Sequence, residues 1–258
     1  MSDRAVRSRS FESVAADYER YRPEYPEEAL RWAAGLLGLE SGARVLDIGA
    51  GTGKLTRGLV ALGLDLVAVE PGAPMLDQLR AAVPAAAALE GGAESIPLPD
   101  ETVDAAFAGQ AYHWFDRERE VPELHRVVSA GGGLALLWNW WDERDPLQRE
   151  LGPIVGYAGH EPYWEETLPH EPWFGELGRT VVESIQESSP EALVAHFSTT
   201  SMFVTMKADD RERRLAEVRD IASRYGERFS FPRVTYVFAF ARLDQLTRGS
   251  SGMRETSS

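Results

Sequence analysis

Short apolar runs alternate with stretches of helical periodicity along the first 140 residues. The apolar runs predict buried strands at 43–48, 64–69, 103–108 and 133–139, with a weaker signal at 85–90. Apolar residues recur at helical spacing in the stretches before and between them, at 26–39, 54–62, 74–82 and 117–128. Because buried strands that alternate with amphipathic helices are typical of right-handed βαβ units, the pattern predicts a mostly parallel sheet covered by helices on both faces.

The pattern changes after Trp140. Residues 141–175 contain five Trp or Tyr residues and five prolines without strand alternation, which predicts a mostly helical cap. Strand alternation returns at 180–186, a charged amphipathic helix spans 209–225, and a long apolar strand follows at 234–241. We therefore expect a final antiparallel pair of strands to close one edge of the sheet.

Length and hydropathy describe one ordinary globular domain. The chain has 258 residues and a mean hydropathy of -0.30. We divide the single domain 1–258 into a core at about 11–140, a cap at about 141–205, a closing helix and strand at about 206–245, and a disordered tail at 246–258. No apolar run approaches the ~20 residues that span a bilayer, and the N-terminus lacks the apolar segment of a secretory signal. We expect a cytoplasmic protein without a membrane partner, either a monomer or a homodimer.

Charge and residue usage narrow the possible chemistry. The chain has 27 Lys and Arg against 41 Asp and Glu, a net charge of -14, which argues against a nucleic-acid partner. It has no cysteine, which excludes disulfides, thiol nucleophiles and Cys-based zinc sites. The five histidines show no HxxxH or HExxH spacing, so no metal site is expected. These properties favour a protein that acts on small molecules.

A glycine-rich loop follows the first predicted strand, in the segment VLDIGAGTG at 45–53. It is not a phosphate-binding P-loop, because Gly53-Lys54 is followed by Leu55 and no glycine precedes Gly53 by five residues. It also lacks the third glycine of a GxGxxG dinucleotide fingerprint, since Lys54 stands there. Glycines that only shape a structural turn are the alternative that the loop alone leaves open.

Two acidic residues favour a ligand site over a turn that is only structural. Glu70 ends the second strand, where a carboxylate can accept hydrogen bonds from both ribose hydroxyls of an adenosine ligand. Asp47 stands just before the loop and would attract an ammonium or sulfonium group better than a pyrophosphate. The segment therefore favours an adenosine-containing ligand that carries positive charge.

Four segments in order, VLDIGAGTGKLT, VAVEPGAPML, GGAESIPLPDETVDAAFAGQAYHWFD and LHRVVSAGGGLALLWN, carry a family resemblance. The chain resembles the class I S-adenosylmethionine-dependent methyltransferases, and among them the small-molecule enzymes related to trans-aconitate methyltransferase. The resemblance covers about 11–140 strongly and 141–245 more loosely. It implies a Rossmann-like, doubly wound, seven-stranded sheet of order 3-2-1-4-5-7-6, with S-adenosylmethionine as cofactor and S-adenosylhomocysteine as product.

The resemblance also implies roles for individual residues. The methionine part of the cofactor would be held by Asp47, Gly49, Ala50 and Gly51, and its adenosine part by Glu70, Pro71, Met75, Ala93 and Glu94. An N-terminal segment that folds over the cofactor would contribute Phe11, Tyr18 and Arg22. Gln110 would lie beside the transferred methyl group. At Gly92 the family often carries Asp, so there Glu94 or the backbone would take the adenine contact.

Aromatic residues beyond the fourth and fifth strands are candidates for the acceptor pocket. They are Tyr112, His113, Trp114, Trp138 and Trp140. His113 is either a general base with a pKa near neutrality or a residue that orients the acceptor, and we favour orientation. The tryptophans either line the pocket or pack in the core under the cap. The acceptor would be a small molecule with an O, N or C nucleophile, such as a carboxylate or a secondary metabolite.

Two other functions are consistent with the fold. An NAD-dependent oxidoreductase would share the fold and Glu70, although Asp47 and the missing third glycine argue against it. A non-catalytic cofactor-binding protein would keep the glycine loop but would lack an open acceptor pocket.

Overall fold

The structure, a computed structural model, describes residues 14–157, 168–169 and 172–244. Seven strands form one sheet: β1 (Arg44–Ile48), β2 (Asp65–Glu70), β3 (Ala87–Glu90), β4 (Val103–Gly109), β5 (Val128–Trp141), β6 (Phe174–Ser188) and β7 (Phe229–Arg242). Their order is β3-β2-β1-β4-β5-β7-β6, with β7 antiparallel to both neighbours and the other pairs parallel. The predicted fold and strand order are confirmed.

Helices cover both faces of the sheet. They are α1 (Ala15–Tyr21), α2 (Glu27–Leu36), α3 (Lys54–Ala61), α4 (Ala73–Ala82), α5 (Arg117–Val127), α6 (Pro146–Val155), α7 (Pro190–Ser198), α8 (Ser201–Val204) and α9 (Ala208–Ser223). Successive residues of a strand point to opposite faces, so the central strands feed two separate cores. Leu46 and Ile48 of β1 pack in one, and Val45 packs in the other. This double burial explains why the central strands appear as continuous apolar runs in the sequence.

The region after β5 departs from the predicted arrangement. We expected a helical cap between the fifth and sixth strands, but among the described residues only α6 lies there. Helices α7, α8 and α9 lie between β6 and β7 instead. The strand predicted at 180–186 is too short, because β6 begins at Phe174 and ends at Ser188. Because β6 is an edge strand in which only Phe174 and Val182 are buried, its apolar alternation is weak.

A third apolar cluster joins the helices of this region. Leu151 of α6, Phe197 of α7 and Val218 of α9 are buried together with Phe231 of β7. The cluster places the end of α7 and the start of β7 beside the carboxyl end of β5. Within the described part of the chain, no helix is long and apolar enough to cross a membrane.

Candidate active site

A cavity of about 410 Å³ opens at the carboxyl ends of β1, β4 and β5. Open α/β sheets bind ligands at this edge, beside the point where the strand order reverses. The reversal lies between β1 and β4, since β1 is followed along the chain by strands on one side and then by β4 on the other. The cavity is therefore where the topology predicts a ligand site.

The loop after β1 forms the floor of this cavity. Gly49, Gly51 and Gly53 all have positive φ angles, of 66°, 58° and 90°. A Cβ atom at Gly49 would lie 2.6 Å from the Cβ of Ala111, so a side chain is excluded there. A Cβ atom at Gly51 would have no neighbour within 4 Å. Gly51 thus exposes bare backbone to open space in the cavity wall, as close approach of a ligand requires.

The carboxylate of Glu70 fixes the path of this loop. It accepts a hydrogen bond from the backbone N–H of Gly51 at 2.9 Å and another from the N–H of Gly72 at 2.8 Å. A carboxylate can accept about four hydrogen bonds, so Glu70 can accept ligand hydroxyls in addition to these backbone contacts. Glu70 is therefore both an anchor of the loop and a candidate acceptor for ribose hydroxyls, and the sequence indicated only the second role.

Asp47 is a buried carboxylate under the loop. Its Oδ2 accepts a hydrogen bond from the Thr56 hydroxyl at 2.6 Å, whereas its Oδ1 is buried and accepts none from the described residues. Burial raises the pKa of the Asp47 carboxyl to about 7, the Thr56 hydrogen bond opposes this rise, and the charge of Glu70 adds to it. A positively charged group beside Oδ1 would offset the cost of burying this carboxylate.

The N-terminal segment lies across the cavity, where Tyr18 and Arg22 contribute to its wall. The Arg22 guanidinium lies over the Tyr18 ring at 5.1 Å, and its Nε donates to the Thr199 hydroxyl at 3.0 Å. Arg22 therefore links the end of α1 to the end of α7. Phe11 lies outside the described residues.

Ion pairs attach this segment to α3, the helix that follows the glycine loop. Lys54 contacts Glu24 at 2.8 Å, and Arg57 contacts Glu24 at 2.8 Å and Glu19 at 3.0 Å. The covering segment and the floor of the cavity are thus tied to the same helix.

The residues expected around the adenosine part lie outside the cavity lining. Met75 and Ala93 are buried, and Pro71 is exposed beside Glu70. The Oε1 of Glu94 accepts the backbone N–H of Asp116 at 3.0 Å. The structure neither assigns nor removes an adenine role for these four residues, so that role stays a prediction.

On the opposite side, Gln110, His113, Trp114 and Trp140 line the cavity as expected. Tyr112 and Trp138 do not. Both are 1% exposed and pack in the core, because they point away from the cavity edge. The Trp138 indole N–H donates to Nδ1 of His113 at 3.2 Å, so Trp138 supports a pocket residue from behind.

Sequence reasoning missed several lining residues. Tyr25, Asn139, Tyr157, His196 and Arg233 all contribute to the cavity. Asn139 lies within a quoted motif, and its backbone carbonyl accepts the Gln110 side-chain amide at 2.6 Å. His196 and Arg233 come from α7 and β7, so only the tertiary structure brings them to the site. No local pattern in the sequence could have indicated them.

Comparison with known proteins finds a methyltransferase domain and methyltransferase relatives. A family model described as "Methyltransferase domain" matches residues 46–136, which span β1 to β5. An uncharacterized methyltransferase of Mycobacterium tuberculosis is 47% identical over 83% of this chain and 86% of its own length. One from Schizosaccharomyces pombe is 31% identical over 83% and 87%. A solved structure from Anaeromyxobacter dehalogenans, described as a type II methyltransferase, has a TM-score of 0.61 at 27% identity and covers 86% of this chain and 97% of its own.

The buried Asp47 predicts a specific dependence of stability on pH. Its folded-state pKa of about 7 lies above the unfolded value of 3.8, so the folded state favours the protonated form. Stability from this group is complete below the unfolded pKa and is lost as the pH rises through about 7. In Asp47→Asn the amide oxygen can still accept from Thr56, but no charge is buried. From pH 5 to pH 8, we expect the free energy of unfolding of the wild type to fall by about 2–4 kcal/mol relative to that of the variant.

Urea unfolding of the ligand-free proteins at both pH values measures this difference. If the free energy of unfolding changed equally with pH in the two proteins, the pKa of Asp47 would not be raised in the folded state, and the prediction would be wrong.

Proposed function

The chain belongs to the class I S-adenosylmethionine-dependent methyltransferases, and we propose that it transfers the methyl group of S-adenosylmethionine to a small-molecule acceptor with an O, N or C nucleophile. S-Adenosylhomocysteine would be the second product. The observation that carries the proposal is the open backbone at Gly51 between two carboxylates, those of Asp47 and Glu70. No metal is part of the proposal.

The residues present fit the proposed cofactor. The unpartnered Oδ1 of Asp47 suits the ammonium or sulfonium group, which would replace the missing hydrogen-bond donor or positive charge. The Glu70 carboxylate, at the end of β2, suits the two ribose hydroxyls, because a carboxylate can accept several hydrogen bonds at once. Arg22 makes no ion pair with a described carboxylate, so its guanidinium suits the carboxylate of the methionine part. A dinucleotide pyrophosphate would instead face two anionic side chains.

Bound S-adenosylmethionine supplies an electrophilic methyl group, so the protein's task is alignment and exclusion of water. The N-terminal segment covers the cavity and is attached to α3 by its ion pairs. Gln110, with a φ of 57°, donates through its side chain to the carbonyl of Asn139, which connects the ends of β4 and β5. These contacts hold the acceptor wall at a fixed distance from the glycine loop.

His113 fits a role in orienting the acceptor. Its Nδ1 accepts the Trp138 indole N–H, so a neutral imidazole with this bond carries its proton on Nε2. Acting as a base at Nε2 would require the other tautomer and the loss of this hydrogen bond. We therefore propose that His113 donates a hydrogen bond to the acceptor rather than removing a proton from it.

Small-molecule specificity is supported by the net charge of -14 and by the aromatic residues that line the cavity. The same charge disfavours a phosphate backbone as acceptor.

Gly51→Val tests the cofactor assignment. The new side chain would occupy the open space where the ligand meets the backbone, so affinity for S-adenosylhomocysteine should fall at least about 100-fold by calorimetry. Gly42→Val is the matched control, because Gly42 also has a positive φ, of 86°, and no neighbour within 4 Å, but lies before β1 at the opposite edge of the sheet. Its affinity should stay near that of wild type. A Gly51→Val protein that is folded and binds normally would refute the assignment.

His113→Ala tests the acceptor wall. If His113 orients the acceptor, KM for the acceptor should rise about 10-fold with a smaller change in kcat, and S-adenosylhomocysteine affinity should be unchanged. The pH–rate profile should have the same shape in both proteins. A wild-type profile that rises through a pKa near 6–7, and loses this step in the variant together with ~10²–10⁴-fold of kcat, would identify a general base instead.

A further inference from the structure

Two arginines face the cavity without a carboxylate partner among the described residues. They are Arg22 and Arg233, and both line the cavity wall. Some arginines of this chain pair with acids, as Arg57 does with Glu19 and Arg179 with Glu176, and others donate to backbone carbonyls, as Arg214 does to Ile154. Arg22 and Arg233 differ from these because both line a cavity, where a ligand can reach their guanidiniums.

The Arg233 guanidinium is held by neutral groups alone. Its Nε donates to the Gln186 side-chain oxygen at 3.0 Å, and its plane lies over the Phe231 ring at 5.1 Å. Nη1 and Nη2 donate to no described residue. Burial, together with the nearby charge of Arg22, lowers the pKa of Arg233 to about 10. The side chain is thus fixed in position, while the N–H groups of Nη1 and Nη2 and the positive charge have no partner among the described residues.

The environment of Arg233 is positive. His196 lines the same cavity and has a pKa well below its usual value, first because it is buried and then because of the charges of Arg233 and Arg22. Its Nδ1 contacts the carbonyl oxygen of Tyr21 at 3.3 Å. A neutral imidazole between two guanidiniums indicates that this end of the cavity lacks a resident anion within the described structure.

Arg233 lies at the acceptor end of the cavity. It pairs in register with Trp141 of β5, and β7 is the third strand from β1 in the sheet. At a strand spacing of roughly 4.8 Å, it stands about 14 Å across the sheet from the glycine loop. Arg22 is stacked on Tyr18 and is the cation that the proposed function gives to the cofactor. Arg233 remains for another ligand.

We propose that Arg233 is the specificity-determining residue for the acceptor, and that the acceptor is a small molecule bearing a carboxylate group that the Arg233 guanidinium binds. The inference rests on the proposed methyltransferase function and adds the chemical class of its acceptor. Nη1 and Nη2 of a guanidinium form a planar fork that matches the two oxygens of a carboxylate. Trp141 and Tyr157 would contact the apolar part of the same molecule.

Charge balance favours a carboxylate over a phosphate. One guanidinium is left after Arg22 is assigned to the cofactor, and it neutralises a single negative charge. A phosphate dianion would leave an excess negative charge in a cavity that already contains Asp47. A carboxylate, which carries one negative charge, matches the single positive charge of Arg233.

The test compares Arg233→Gln and Arg233→Lys with wild type. Arg179→Gln is the matched control, because the Arg179 guanidinium also lies over a phenylalanine ring, that of Phe238 at 5.3 Å, but Arg179 does not line the cavity. Each protein is assayed for transfer of tritium-labelled methyl groups from S-adenosylmethionine to a panel of aliphatic and aromatic acids that carry one carboxylate and a hydroxyl or amine nucleophile, each beside its neutral amide. S-Adenosylhomocysteine affinity is measured by calorimetry on the same preparations.

We expect wild type and Arg179→Gln to methylate the hydroxyl or amine of these acids in preference to that of their amides. Arg233→Gln should lower kcat/KM for those acids about 10- to 100-fold, while S-adenosylhomocysteine affinity changes less than about twofold. Arg233→Lys should be intermediate, because it keeps the charge but not the planar fork.

Transfer to acids and amides at equal rates, transfer to neither, or an unchanged rate in Arg233→Gln would overturn the inference. If S-adenosylhomocysteine binds in those cases, the proposed function survives. If wild type fails to bind it, the proposed function itself is wrong.

Discussion

The Glu70 carboxylate holds the candidate site together. It lies at the end of β2 and accepts the backbone N–H groups of Gly51 and Gly72, which joins the loop after β1 to the turn after β2. The contact depends on the parallel register of the two strands, in which Ile48 is paired with Val69. Because the loop is anchored in this way, its backbone can remain bare at Gly51 without a side chain to fill the space. The cavity floor, the strand order and the acidic residue are therefore parts of one arrangement.

The two ends of the cavity are lined by side chains of opposite charge. Asp47 lies at the end where the glycine loop turns, and Arg233 and His196 lie toward β7. Each set carries a cost in the ligand-free protein, since burial raises the pKa of Asp47 and lowers that of Arg233. A ligand pair with positive charge at one end and negative charge at the other would relieve both costs. The charges that line the cavity, as well as its shape, therefore indicate which ligands it can bind.

The core of the fold follows from the sequence because local patterns encode it. Strands buried on both faces, such as β1 and β4, are continuous apolar runs, and the glycines after Ile48 mark the turn. The cofactor side of the site could be predicted for the same reason, since Asp47, Gly51 and Glu70 lie close together in the sequence, between residues 47 and 70. The acceptor side was not, because α7 and β7 bring His196 and Arg233 from distant parts of the chain. Trp138 illustrates the remaining ambiguity: alternation along β5 does not reveal which face meets the cavity, and its ring lies in the core.

The most direct test of this account is a calorimetric comparison of two adenosine ligands on the wild-type protein. The account predicts that S-adenosylhomocysteine binds with one site per chain, because the loop offers open backbone and the ammonium group meets Asp47. It predicts no saturable binding of NADH at comparable concentrations, because the pyrophosphate would face Asp47 and Glu70 at a loop that lacks the third glycine of the dinucleotide fingerprint. Saturable NADH binding with no binding of S-adenosylhomocysteine would contradict it.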